Sequence, residues 1–108
     1  MVAVVPRFAS VLTNTFDLSA SSMFVKTPVF VDVDPNNYLL DLNLLQKAVT
    51  PASKAILPVH LFGCPIDMNA ILSFAKRNGL SVIEDCAQAA GSKWQGKSVG
   101  SFGDVGCF

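Results

Sequence analysis

The sequence predicts an α/β fold in which parallel strands alternate with helices, a β-α-β-α-β run across residues 28–85. Short β-branched segments closed by turn residues stand at Val29–Asp34, Ala55–His60 and Leu80–Asp85. The two stretches between them carry apolar residues at helical spacing, each opened by an aspartate. Alternation at this spacing implies parallel strands joined by right-handed crossovers. Composition agrees. Hydrophobic residues make up 51% of the 108 positions and charged residues only 15%, enough to fill a core and too little charge to cover a free-standing domain. Elements meant to be covered on both faces read this way.

In chain order, Val2–Val5 reads as a short strand ending at Pro6, and the Ser-, Thr- and Ala-rich stretch Asn14–Met23 as a short helix. The strand Val29–Asp34 closes on the turn cluster Pro35-Asn36-Asn37. Asp41 caps a helix whose inward stripe is Leu42, Leu45, Ala48 and Val49, and Thr50-Pro51 ends it, because the residue before proline avoids the helical region. Ala55–His60 forms the second strand, with Pro58 counting against a regular ladder. Asp67 caps a second helix running to Asn78, with Ile71, Leu72 and Ala75 inward, Lys76 and Arg77 in the last turn and Gly79 at the C-terminal cap. Leu80–Asp85 is the third strand. Glycines punctuate residues 91–106, and Asp104–Phe108 reads as the start of a fourth strand.

Several function classes drop out. Eight basic and eight acidic residues cancel, which argues against nucleic acid held through bulk charge. No apolar run approaches the roughly 20 residues a membrane span needs, and the first residues lack the basic region and cleavage site of a signal peptide. Cys64, Cys86 and Cys107, odd in number and widely spaced, suit reduced thiols in the cytoplasm. With His60 they show no paired-ligand spacing, so no metal site is expected.

In a parallel sheet, ligands bind beyond the carboxyl ends of the strands. Those ends carry Asp32 and Asp34, then His60, then Asp85. Asp85 is the leading candidate, since a carboxylate ending a buried strand is costly unless paired; a cap or salt bridge is the structural alternative. Glu84 points to the opposite face and reads as structural, and His60 as a hydrogen-bonded core histidine. Gly91–Ser98 spells the P-loop pattern letter for letter, but the strand ends several residues early and the glycines after Ser98 disfavour a helix. A glycine-rich turn bearing two exposed lysines is the plainer reading.

Read together, Pro28–Pro35, Lys54–Met68 with its Val-His-Leu-Phe-Gly-Cys-Pro centre, Val82–Gly91 with Glu-Asp-Cys-Ala-Gln, Gly96–Asp104 and Cys107-Phe108 resemble the DegT/DnrJ/StrS family of pyridoxal phosphate (PLP)-dependent sugar aminotransferases, fold type I. The resemblance spans about residues 28–108, with order and spacing kept. It implies a division into a poorly matched segment, 1–27, and part of a PLP-transferase large domain, 28–108, ending before the Schiff-base lysine. Lys93 and Lys97 do not match that lysine, and the glycine-rich N-terminal segment and the small domain of the family are not found. By resemblance Asp85 pairs with the pyridine nitrogen of PLP, Gln88 lies near its 3-hydroxyl group, and Phe16 supplies the aromatic over the ring. The parent activity implied is amino transfer, typically from glutamate, to a keto group on a nucleotide-linked sugar, in a cytoplasmic homodimer, with the 108-residue chain alone inactive. A non-catalytic remnant or partner module of the same fold, and a P-loop nucleotide-binding domain, are the alternatives.

Overall fold

The computed structural model describes residues 2–6 and 29–108. The expected helix at Asn14–Met23 and Phe16 lie outside the described residues. The elements are β1 (Val2–Pro6), β2 (Val29–Val31), α1 (Leu42–Ala48), β3 (Ser53–Leu57), a 3-10 turn (Leu61–Gly63), α2 (Met68–Asn78), β4 (Ser81–Asp85), a small hairpin of β5 (Lys93–Trp94) and β6 (Lys97–Ser98), and β7 (Val105–Cys107).

Five strands form one sheet in the order β2-β1-β3-β4-β7. β3, β4 and β7 are parallel, with Ile56 opposite Val82 and Asp85 opposite Cys107. The α/β class and the parallel strands therefore stand as read from the sequence. One arrangement differs from the expected run. β1 lies between β2 and β3 and is antiparallel to both, so β2 and β3 point the same way without touching. The ladder with β1 also explains why β3 begins at Ser53 rather than Ala55, since Ser53 pairs with Pro6 after a register shift between Val5 and Pro6.

Strand ends follow local chemistry. β2 stops at Val31 because the Asp32 carboxylate takes the Val33 N–H and the Asp34 carboxylate takes the Asn36 N–H, both at 2.8 Å. These contacts turn the chain where a longer strand was expected. Leu57 ends β3 because Pro58 has no N–H for the ladder. The register with β4 nevertheless survives the proline. The Pro58 carbonyl accepts from the Asp85 N–H at 2.9 Å, and the His60 N–H donates to the Asp85 carbonyl at 3.0 Å.

Both helices carry the expected caps. The Asp41 carboxylate accepts from Asn43 N–H at 2.7 Å, and that of Asp67 from Ala70 N–H at 3.0 Å. Gly79 takes the left-handed conformation (φ 64°) that ends α2, a position where a Cβ would be strained. The helices and the sheet enclose a core of Leu45, Ile56, Met68, Ile71, Phe74 and Val82. Met68 and Phe74 extend the inward stripe expected for α2, while Leu72 packs at its margin. Among the described residues no helix is long and apolar enough to cross a membrane.

Candidate functional site

The carboxyl end of β4 is held by backbone hydrogen bonds on both sides. Asp85 is gripped on one side by Pro58 and His60 and on the other by β7, where the Cys86 N–H donates to the Cys107 carbonyl at 2.7 Å. Its side chain is half-buried, and Oδ1 accepts from the Ala87 N–H at 3.0 Å, a turn contact that orients the carboxylate. Among the described residues no protein donor reaches Oδ2. Two successive turns follow, closed by Ala89 N–H to the Cys86 carbonyl (2.8 Å) and Ser92 N–H to the Ala89 carbonyl (3.0 Å). They carry Gln88 toward the 3-10 turn, where Gln88 Oε1 accepts from the Phe62 N–H at 3.2 Å.

Glu84, the neighbour of Asp85, faces the other way and is fully buried. Oε1 accepts from the Phe102 and Gly103 N–H groups and Oε2 from Gly100 N–H, all at 2.7 Å; His60 Nε2 meets Oε2 at 3.1 Å. Burial by itself would raise the Glu84 carboxyl. The hydrogen bonds from Gly103, Gly100, His60 and Phe102 outweigh it and hold the group below its ordinary value. The second His60 nitrogen, Nδ1, accepts from Ile66 N–H at 3.2 Å, which places the ring proton on Nε2, toward Glu84. The structural readings of Glu84 and His60 thus hold, and Glu84 carries more of the architecture than its sequence context suggested. It pins the loop leading into β7, and β7 flanks Asp85.

His60, Glu84 and Cys86 bring ligand-type atoms within 4.8 Å of one another. The carboxylate oxygens and both imidazole nitrogens are already committed, and burial, followed by the nearby Glu84, Asp85 and Cys107, pushes the Cys86 thiol up to about 11. The cluster is structural chemistry. Asp32 and Asp34, expected on the rim, serve the β2 turn instead.

Gly91–Ser98 is not a phosphate loop. Lys93 pairs with Ser98 and Trp94 with Lys97 across a two-residue turn at Gln95 (φ 48°) and Gly96 (φ 83°), the left-handed pair that tight hairpins require. Lys97 Nζ is spent on the Ser101 carbonyl at 2.7 Å and stacks over Phe102, and the chain runs on into β7 with no helix. The P-loop alternative is therefore corrected: the glycines serve a hairpin, and the strand–loop–helix junction that gathers amides around phosphate is not formed.

Parallel strands alternating with helices are the α/β architecture that this chain shares with fold type I aminotransferases of known structure. The aminotransferase of Brucella abortus superposes with a TM-score of 0.75 at 39% identity, over 82% of this chain and 26% of that one. Residues 7–108 match the profile of the DegT/DnrJ/EryC1/StrS aminotransferase family, and the chain belongs to that family. A UDP-N-acetyl-3-dehydro-alpha-D-glucosamine 3-aminotransferase of Acidithiobacillus ferrooxidans is 49% identical over 105 residues, 97% of this chain and 27% of the relative. GDP-perosamine synthase of Escherichia coli O157:H7 is 43% identical over 97 residues, 90% of this chain and 27% of the relative. The chain thus spans about a quarter of the length of these relatives. The family is PLP-dependent.

The donor set at the rim suits that cofactor. A PLP ring presents a protonated nitrogen and, two ring atoms away, an anionic oxygen. Among the described residues Asp85 offers an open acceptor, Oδ2, and Gln88, whose oxygen is engaged by Phe62, has its Nε2 donor left over.

Proposed function

We propose that residues 28–108 are the central, cofactor-holding part of the large domain of a PLP-dependent aminotransferase that aminates a keto group on a nucleotide-linked sugar. The observation that carries this reading is the pairing of an acceptor, Asp85 Oδ2, with a donor, Gln88 Nε2, at and just beyond the carboxyl end of β4. The relatives named for UDP- and GDP-linked sugars support the substrate class. An amino-acid donor, typically glutamate, a homodimer and a cytoplasmic setting complete the proposal, and the three free cysteines suit the last.

When bound, PLP supplies an electron sink for the carbanion chemistry of amino transfer. The chain's own residues prepare the place for it. The Asp85 carboxylate stabilises a proton on the ring nitrogen, because an adjacent negative charge favours the charged form. Gln88 would donate to the ring oxygen, and the family resemblance assigns the aromatic over the ring to Phe16, which lies outside the described residues. Glu84 and His60 keep the β7 approach in place. The lysine that carries the cofactor in the family is matched by neither Lys93 nor Lys97, so turnover requires the full-length enzyme.

The test is Asp85→Asn in that enzyme, which keeps the shape and removes the charge. Losing a charged hydrogen bond in a desolvated site costs about 2–5 kcal/mol, so turnover falls by roughly one and a half to four decades. Asp32→Asn, at an exposed position just after β2, leaves turnover within about threefold, as an exposed turn substitution does. Equal effects from the two would remove Asp85 from its assigned role.

A further inference from the structure

We infer that the Phe62 turn is a positioning element for the cofactor: its backbone N–H locks the Gln88 amide in one orientation and makes Gln88 a one-way donor. The inference rests on the reading that Asp85 and Gln88 hold PLP, and goes beyond it by assigning a role to the segment His60–Cys64.

The geometry at Phe62 is unusual. It is a bulky residue with φ 52° and ψ 33°, in the left-handed region, followed by Gly63 at φ 77°. Such a conformation is disfavoured for a side chain of this kind and persists where surrounding bonds over-determine it. The ring does not do so, since 83% of Phe62 is exposed. Backbone contacts hold the turn. Phe62 N–H reaches Gln88 Oε1 at 3.2 Å, the Gly63 carbonyl accepts from Ser92 Oγ at 2.9 Å, and Cys64 N–H closes on the Leu61 carbonyl at 2.9 Å. His60, at the head of the turn, is bonded through its own N–H to the Asp85 carbonyl.

The consequence follows from donor and acceptor identities. An N–H can bond only the oxygen of a side-chain amide, so the Phe62 contact decides which end of Gln88 is which. The NH₂ group then faces away from Phe62, where an anionic ring oxygen is the matching partner. A free glutamine would divide its time between two flips, one of which sets its carbonyl oxygen against that anion. The lock removes the wrong flip before the cofactor arrives, which is preorganisation.

The experiment uses the full-length enzyme, apo and PLP-loaded, with two readouts: hydrogen exchange at the Phe62 amide in the apo protein, and PLP affinity by fluorescence titration. In the parent the Phe62 amide exchanges slowly. Gln88→Glu keeps an acceptor, so exchange stays slow, but the donor is lost and PLP binds about 10- to 100-fold more weakly, the range for a hydrogen bond to a charged group. Ser92→Ala releases the Gly63 carbonyl. It speeds Phe62 exchange and weakens PLP roughly three- to tenfold with Gln88 intact, the size of one neutral hydrogen bond. Unchanged PLP affinity in Gln88→Glu overturns the donor assignment. Faster Phe62 exchange in Ser92→Ala with unchanged PLP affinity overturns the positioning role. Asp85→Asn separates the levels: if it weakens PLP while Gln88→Glu does not, only this inference fails, and if neither does, the cofactor reading fails with it.

Discussion

Glu84→Gln is a one-atom change with a large expected cost. The carboxylate accepts four hydrogen bonds, two at each oxygen: Phe102 and Gly103 at one, Gly100 and His60 at the other. Glutamine has a single oxygen. Whichever way its amide turns, an NH₂ group faces two donors, and two buried N–H groups lose their acceptor. Each such loss costs about 1–3 kcal/mol, giving about 2–6 kcal/mol in total. A domain of ordinary stability has about 5–15 kcal/mol to lose. Equilibrium urea unfolding followed by circular dichroism reads the difference as a lower midpoint at unchanged slope. The same site gives the parent an acid limb. The folded Glu84 carboxyl lies below its ordinary value of 4.5, so the unfolded chain binds the proton more readily. Its stabilisation is fully present above that value and is lost as pH falls through the lower, folded one. Glu84→Gln lacks this part of the acid dependence. A variant within about 1 kcal/mol of the parent, with the acid limb intact, would refute the four-bond account.

Two further outcomes test the loop and the lysines. A Cβ on Gly103 would stand 2.6 Å from the Val82 carbonyl oxygen, a backbone atom that cannot swing away. Gly103→Ala is accordingly expected to destabilise by about 1–3 kcal/mol in the same urea assay, and a neutral result would show that the loop has room to move. Incubating the 108-residue chain with PLP, reducing with borohydride and mapping the product by mass spectrometry should give no single stoichiometric pyridoxyl-lysine, because Lys93 sits on an exposed hairpin and Lys97 is bonded to the Ser101 carbonyl. One saturating adduct at either lysine would contradict the statement that neither matches the family's lysine.

The helices and their caps were readable from sequence because their determinants are local: Asp41, Asp67 and Gly79 act within four residues of themselves. The parallel pairing of β3 with β4 followed from crossover length alone. The insertion of β1 could not be read that way, since Val2–Pro6 has no periodic signal saying which strands it will separate. Asp85 stood out because position on a strand end is a one-dimensional property. The scale of the Glu84 network was hidden because its partners at Gly100, Phe102 and Gly103 are backbone amides, which every residue but proline possesses. A buried acid followed by a glycine-rich loop was the one available hint. The Phe62 contact was hidden for the same reason, with Gly63 beside it the sole sign of left-handed backbone.

The placement of β1 bears on how this chain can be made and handled. Its partners in the sheet are Val29–Val31 on one side and Ser53–Leu57 on the other, both later in the chain. Until those residues are synthesised, β1 has two unsatisfied edges and nothing to hold it. Once seated, it is an inner strand of the sheet, paired on both edges. Losing Val2–Pro6 from its place would split the sheet and expose the facing edges of β2 and β3 to other chains.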